Sequence, residues 1–214
     1  GNTKHIVLSE LSGRGNIAVK LQEEGLEAQV PQEQLSALLE MVKQREAEGF
    51  QYEGAEASFE LLVRRLMPDY TAPFTLVDFV SMVEKREGNG RPADISSQVM
   101  LKVRVADEVM HTAADGNGPV NSLDNALRKA LLQFYPNMET VRLVDYQVRV
   151  VDESSSTGEI VRVLIESTDG RNTWNTVGSS ENVIETSWMA LADSMEYWLV
   201  RERTANGTHV TAVS

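Results

Sequence analysis

The sequence predicts an α+β fold: a small helical subdomain followed by a domain of two pseudo-symmetric β-β-α modules with antiparallel sheets. Three observations carry this. Gln98–Val105 alternates, with Val99, Leu101, Val103 and Val105 on one face, which is the period of a half-buried strand. A second strand to about Ala114 leads into Asp115-Gly116-Asn117-Gly118-Pro119, where Pro119 takes the first helical position and Val120, Leu123, Leu127, Leu131 and Phe134 follow at helical spacing. The same order then recurs. Glu159–Ser167 reads as a strand, Asp169-Gly170 as a hairpin turn, Asn172–Val177 as the return strand and Gly178-Ser179-Ser180 as turn and cap. Ile184, Trp188, Leu191, Met195 and Trp198 form the stripe of a second helix, and Gly116 and Gly178 hold equivalent places in this reading.

Residues 1–70 read as the helical subdomain. Ile17, Val19 and Leu21 start a short helix that ends near Gly25. Pro31 stands at a first helical position, Leu35, Leu38, Leu39 and Val42 form a stripe, and Gly49 closes that helix. Ala55, Phe59, Leu62 and Leu66 mark a third helix, and Pro68 and Pro73 bracket a break. So small a helical piece buries itself poorly, which predicts that it leans on another domain or subunit. Residues 71–203 form the larger domain and 204–214 a flexible tail. Within the domain, Phe74–Lys85 is apolar on both faces, as a covered strand would be, Glu87–Asp94 reads as an exposed loop, and Asp152–Gly158 as a loop tip. Val141–Val151 is a strand joining the modules, with Val144, Tyr146, Val148 and Val150 on one face.

Composition excludes several function classes. A formal charge of −12 over 214 residues argues against nucleic acid and anionic membrane surfaces as partners. With no cysteine there is no disulfide, thiolate metal site or Cys nucleophile. No apolar run reaches spanning length and no signal peptide is evident, so a cytoplasmic setting is the default. The sequence opens without methionine in mid-motif, which predicts an excised piece of a longer chain.

No catalytic constellation emerges. His5, His111 and His209 are far apart and make no metal-ligand spacing, so neither a metal nor another cofactor is expected here. Gly116-x-Gly118 lacks a third glycine at dinucleotide-binding spacing and follows a hairpin. His111 reads as a strand histidine at a sheet edge or interface. The glycine turns admit two readings. Glycine permits a sharp strand-to-helix turn, or the amides of the helix start receive an anion such as a carboxylate. Beside an apolar face the second arrangement suits a small amphiphile such as an amino acid, with Leu143 and Tyr146 as part of the wall; core packing is the alternative for Tyr146. Trp188 and Trp198 fit a core or a subunit interface better than a cofactor site.

SELSGRGNI (Ser9–Ile17), YEGAEASFELLVRR (Tyr52–Arg65), HTAADGNGPVNSLDNALRKAL (His111–Leu131), LVDYQVRV (Leu143–Val150), RVLIESTDG (Arg162–Gly170) and W-x-TVG-x-S-x-N-x-IE-x-S (Trp174–Ser187) resemble the C-terminal, linker-plus-regulatory part of the 2-isopropylmalate synthase / homocitrate synthase superfamily, closest to its (R)-citramalate synthase branch. The resemblance covers about residues 1–203. It implies an acyltransferase whose metal-dependent TIM barrel, absent here, condenses acetyl-CoA with a 2-oxo acid: pyruvate, on the way to isoleucine, in the citramalate branch. It implies that this piece is catalytically silent, forms a homodimer and binds a feedback branched-chain amino acid, isoleucine or leucine. Carried over position by position, the effector site comprises Gly116, Gly118, Val120, Asn121, Leu143, Tyr146 and Val150, with Gly178 and Ser179 from the second module. Asn121 Oδ1 is an expected acceptor for the ligand's ammonium. At Val120 some relatives carry a larger aromatic residue, so which branched amino acid fits stays open. The same region of a 2-isopropylmalate synthase, a stand-alone amino-acid-binding module and a dimerisation domain with a decayed site are the competing readings.

Overall fold

Local sequence sets the helical segment. The computed structural model describes residues 17–88, 91–151 and 159–206. Helix α1 (residues 17–23) stops ahead of Gly25, whose φ of +66° suits glycine. Pro31 does not start a helix as expected: Gln34 N–H bonds to Pro31 O at 2.8 Å, closing a 3-10 turn, and α2 begins only at Leu35 and runs to Ala47. Gly49, at φ +89°, ends it and lets Phe50 N–H reach back to Arg45 O at 2.9 Å. Helix α3 spans Glu56–Arg65. Ile17, Leu21, Leu38, Leu39, Val42, Phe59 and Leu62 share one apolar core.

The rest is two antiparallel sheets, each backed by a helix. Strands β1 (Phe74–Gly88), β2 (Arg91–Val105) and β3 (Glu108–Gly116) form the first sheet in that order, and helix α4 (Pro119–Leu131) covers it. Strands β4 (Arg142–Val151), β5 (Ile160–Thr168) and β6 (Thr173–Ser180) form the second, covered by helix α5 (Val183–Asn206). The alternation of β2 holds: Val99, Leu101, Val103 and Val105 are buried with Leu123, Leu127 and Leu131 of α4 in one core, to which Val163, Ile165 and Leu191 of the second half belong. Asp169-Gly170 makes the β5–β6 hairpin, with Gly170 at φ +86°.

The two β-β-α units are present, and each is preceded by a further strand. Four expectations change. Phe74–Lys85 is not covered on both faces: β1 is an edge strand, with Val80, Met82 and Val83 exposed. Most of Glu87–Asp94 is strand, because the β1–β2 ladder continues through Arg86↔Asp94 and Gly88↔Arg91, beyond the core. Pro92 is tolerated in β2 because β3 pairs only as far as Ser97. Val141–Val151 does more than join the modules: β4 pairs with β5 as part of the second sheet, and a bulge between Leu143 and Asp145 removes Val144 from the face of Tyr146. Gly178, Ser179 and Ser180 form no turn, since all three lie in β6. Ser9–Asn16, His5, Asp152–Gly158 and His209 fall outside the described residues, and α5 continues as far as Asn206.

Hydrogen bonds fix how the halves correspond. Thr112 Oγ1 donates to Ala126 O at 2.8 Å, and Thr176 Oγ1 donates to Ala190 O at 2.7 Å, the acceptor lying 14 residues ahead in each case. Ser122 Oγ bonds to Gly118 O and Thr186 Oγ1 to Asn182 O, each four residues back. The ladders agree, pairing Val99 with Ala114 and Val163 with Gly178. Gly178 therefore corresponds to Ala114, and Ser180 to Gly116, two residues away from the equivalence read in sequence. The bulge in β1 between Leu76 and Asp78 matches that in β4 between Leu143 and Asp145. It aligns Leu76-Val77-Asp78-Phe79 with Leu143-Val144-Asp145-Tyr146, a repeat visible in the sequence itself.

The helical segment leans on the second half. Ala57 and Leu61 of α3 enter the large core, and Val177 of β6 enters the helical one. Ser58 Oγ accepts Val177 N–H at 3.0 Å and donates to Asp193 Oδ2 at 2.7 Å, satisfying an amide on the free edge of β6. Ser179 Oγ donates to Glu48 O and Arg162 Nε to Gly49 O. Arg65 bridges Asp193 at 2.7 Å and Glu196 at 2.8 and 2.9 Å, and the Tyr70 hydroxyl also meets Glu196. Burial opposes the Arg65 charge, yet the two carboxylates hold its pKa above the ordinary value. For Asp193 burial wins and pushes the carboxyl up despite Arg65 and Ser58.

Candidate functional site

Val120, Asn121, Asp124 and Arg128 lie along one side of α4, brought together by the helical repeat. Opposite them stand Leu143 and Tyr146 of β4, which share a face because the bulge resets the alternation. Between the two elements is a cavity of about 530 Å³, completed by Glu139, Val141 and Arg142. The volume falls in the range of about 300–1,000 Å³ of small-ligand pockets.

Its wall is of mixed chemistry. Arg128 Nε bonds to both carboxylate oxygens of Asp124, at 3.0 and 2.9 Å, and Nη1 bonds to Val141 O at 2.6 Å, tying the helix to the start of β4. The pair is largely buried, with side chains 17% and 13% exposed. Arg142 and Glu139 are exposed lining residues of opposite charge. Val120, Val141 and Leu143 give an aliphatic surface. The Tyr146 hydroxyl lies 2.9 Å from Ser187 Oγ; since Ser187 donates its own proton to Val183 O, the tyrosine is the donor.

The structure brings together four of the nine residues expected from sequence: Val120, Asn121, Leu143 and Tyr146 line the cavity. Gly116 lies beneath the α4 start, where an added Cβ would come 2.5 Å from Ser122 N, and Gly118 is the extended residue preceding Pro119. Both support the helix start without lining the cavity. Asn121 Oδ1 accepts Asn117 N–H at 3.2 Å, closing the turn, so it already has a partner there. Val150, at the far end of β4, is 60% exposed and lies off the cavity. Gly178 and Ser179 sit in β6 against α5 and the helical segment, away from it.

Sequence reasoning missed Asp124, Arg128, Glu139, Val141 and Arg142. The Asp124/Arg128 spacing of four on an amphipathic helix was a signal for the first two. Nothing marked the others, because the turn at Pro136–Thr140 that carries Glu139 becomes a wall only when β4 folds back along α4.

At the pseudo-symmetric corner between α5 and β1, the ladder and hydrogen-bond equivalences put Trp188 where the α4–β4 corner has Asp124, Ala192 for Arg128, Thr75 for Arg142 and Phe79 for Tyr146. The Phe79 and Trp188 rings stand 5.8 Å apart. At these four positions the corresponding corner thus has aromatic and small residues where the first has charged groups and a tyrosine hydroxyl.

Duplicated strand-strand-strand-helix units, with a cavity of mixed chemistry between the helix of one and the outer strand of the other, define the class as a duplicated α+β domain. Among the described residues no cluster of three metal-ligating side chains occurs, and no helix is long and apolar enough to cross a membrane. The chain belongs to the LeuA allosteric (dimerisation) domain family, whose profile matches residues 53–199. It is 45% identical to an (R)-citramalate synthase of Aquifex aeolicus over 94% of this chain and 38% of that protein. It is 43% identical to the (R)-citramalate synthase of Geobacter sulfurreducens, over 97% of this chain and 39% of that one. The (R)-citramalate synthase of Sulfolobus acidocaldarius shares 34% identity over 95% of this chain and 36% of its own. The chain therefore spans less than two-fifths of the length of these relatives.

Proposed function

We propose that this chain is the regulatory and dimerisation region of a cytoplasmic (R)-citramalate synthase-type enzyme, which condenses acetyl-CoA with pyruvate towards isoleucine, and that the α4–β4 cavity takes the feedback amino acid. One observation carries the reading: a cavity with ample room for an amino acid has charges of both signs beside an aliphatic wall. Arg142 and the α4 start offer positive potential for a carboxylate, since a helix N-terminus carries unpaired amides and the positive end of its dipole. Asp124 and Glu139 offer acceptors for an ammonium. Val120, Val141 and Leu143 face an aliphatic tail, and Tyr146 sets its depth. The bond-making steps belong to the part of the relatives that this chain does not span. A homodimer follows from the family and suits the exposed apolar residues of β1 and β4, such as Val83, Val148 and Val150.

Calorimetric titration of the folded chain with isoleucine, leucine and valine tests this. Saturable heat with one of them, weakened in affinity by Tyr146→Ala, is the expected result. No heat with any of the three, in a sample shown by sedimentation to be folded and dimeric, would remove the effector reading.

A further inference from the structure

The internal repeat acts as a control for what the fold requires. Helix α4 covers its sheet with Leu123 inside, and Lys129 and Leu132 at its C-terminal end. Helix α5 covers the equivalent sheet the same way, yet puts Ser187 at the position of Leu123, Asp193 at that of Lys129 and Glu196 at that of Leu132. Ser187 is fully buried and Glu196 is 5% exposed. Burying such groups costs stability unless each is partnered, and α4 shows that the architecture stands without them. Among the described residues no helical segment docks on the free edge of β3, where Lys129 Nζ instead caps Ala113 O at 2.7 Å.

The polar residues particular to α5 meet two features that α4 does not. Ser187 receives the Tyr146 hydroxyl at 2.9 Å, where Tyr146 lines the cavity. About two turns further along, Asp193 and Glu196 hold Arg65, with Ser58 on Asp193 and Tyr70 on Glu196, and so hold α3. A regular helix joins the two contacts. Trp188, next to Ser187, packs on Phe79, so the same turn of α5 also touches the outer strand of the first sheet.

We propose that α5 is the coupling element of the domain: it senses cavity occupancy through the Tyr146–Ser187 hydrogen bond and passes it to the helical segment through the Arg65–Asp193–Glu196 cluster. This rests on the effector reading above. Ser187 is a positioning residue outside the cavity lining, acting through Tyr146. A ligand against Tyr146 biases how its ring and hydroxyl sit. Because packed helices shift as rigid bodies, the bias reaches the α3 docking surface. Linkage requires the reverse effect, so weakening the docking of α3 alters ligand affinity by the same factor as the ligand alters docking.

Hydrogen exchange of the α3 amides tests it, with isoleucine, leucine and valine each first checked for binding by calorimetry. In the wild type, saturation with the amino acid that binds slows α3 exchange by about fivefold or more, the lower end of ordinary coupling factors. Ser187→Ala, a smaller residue where α4 carries Leu123, is expected to fold and to bind the same amino acid while slowing α3 exchange less than about twofold. Arg65→Gln supplies an independent arm: it changes affinity for the amino acid, and adding Ser187→Ala produces no further change. Binding without protection of α3 in the wild type, or equal protection in wild type and Ser187→Ala, would overturn the coupling role and leave the effector site standing. Absence of heat from all three amino acids would instead remove the effector reading and the coupling together.

Discussion

Gly178 lies directly against the backbone of Thr186: a Cβ added to it would stand 2.1 Å from Thr186 O. The glycine is in strand β6, and its missing side chain lets the first turn of α5 lie down on the sheet. Gly178→Ala is therefore expected to destabilise the domain by about 3 kcal/mol, the upper part of ordinary overpacking costs. At Gly118, φ is extended and an added Cβ meets nothing within 4 Å, so Gly118→Ala should fall within about 0.5 kcal/mol of wild type. Paired denaturant titrations separate the two. Similar midpoints for both variants would show that α5 does not approach β6 this closely.

These glycines also mark how much the sequence disclosed. Val99 to Val105, Leu123 to Leu131 and Val163 to Ile165 reported both period and buried face, because each is a one-sided element on a single core. Gly178-Ser179-Ser180 did not, because a glycine kept bare beneath α5 and two serines bonded to Glu48 O and Asn182 have the composition of a turn. Strand β1 misled in the opposite way, since its two-sided apolar pattern belongs to an edge strand whose faces are open in one chain. Half of the site was legible as the helix start and the Leu143–Tyr146 strand. Asp124 and Arg128 were signalled only by their spacing of four on α4, and Glu139, Val141 and Arg142 depend on tertiary placement that no local period encodes.

Arg65 neutralises carboxylates whose side chains are 14% and 7% exposed. Removing one partner of such a cluster strands the others, so Arg65→Met should cost about 3 kcal/mol at neutral pH. The sign with pH follows from Asp193. Its folded pKa is already raised by burial and rises further without Arg65, so stability is greatest with the group protonated and falls as pH climbs through that raised value. The deficit of Arg65→Met should therefore shrink on acidification, measured as the difference in unfolding free energy from neutral pH down to about pH 4. A deficit independent of pH would mean that the lost packing of the arginine stem, rather than its charge, sets the cost.

Asp169 behaves oppositely. Burial pushes its carboxyl up, but the Asn172 and Arg171 amides at 2.7 and 2.8 Å and the Trp198 indole N–H at 3.2 Å outweigh burial and hold it below the ordinary value. Its contribution is present above the unfolded aspartate pKa of about 3.9 and is lost as pH falls through the lower folded value. Asp169→Asn should cost about 1 kcal/mol at neutral pH, the scale of one charge-assisted bond to a half-open turn, and converge with wild type in acid. Thermal unfolding across pH reads this directly, and a gap that persists in acid would point to loss of turn geometry instead.

The asymmetry between the two corners predicts the stoichiometry of the proposed effector site. At the α4–β4 corner Asp124, Arg128, Arg142 and Tyr146 line open space. At the α5–β1 corner the matching positions hold Trp188, Ala192, Thr75 and Phe79, and the rings of Trp188 and Phe79 occupy the volume 5.8 Å apart, centre to centre. At those four positions a zwitterion would find no charged side chain to offset its desolvation, a penalty of several kcal/mol. Titration should accordingly saturate at one amino acid per chain, and Tyr146→Ala should weaken that single event by about tenfold or more, equivalent to about 1.4 kcal/mol, with the dimer unchanged in sedimentation. A second binding event of comparable heat in the wild type would show that the aromatic corner also binds, and undiminished affinity in Tyr146→Ala would remove Tyr146 from the site.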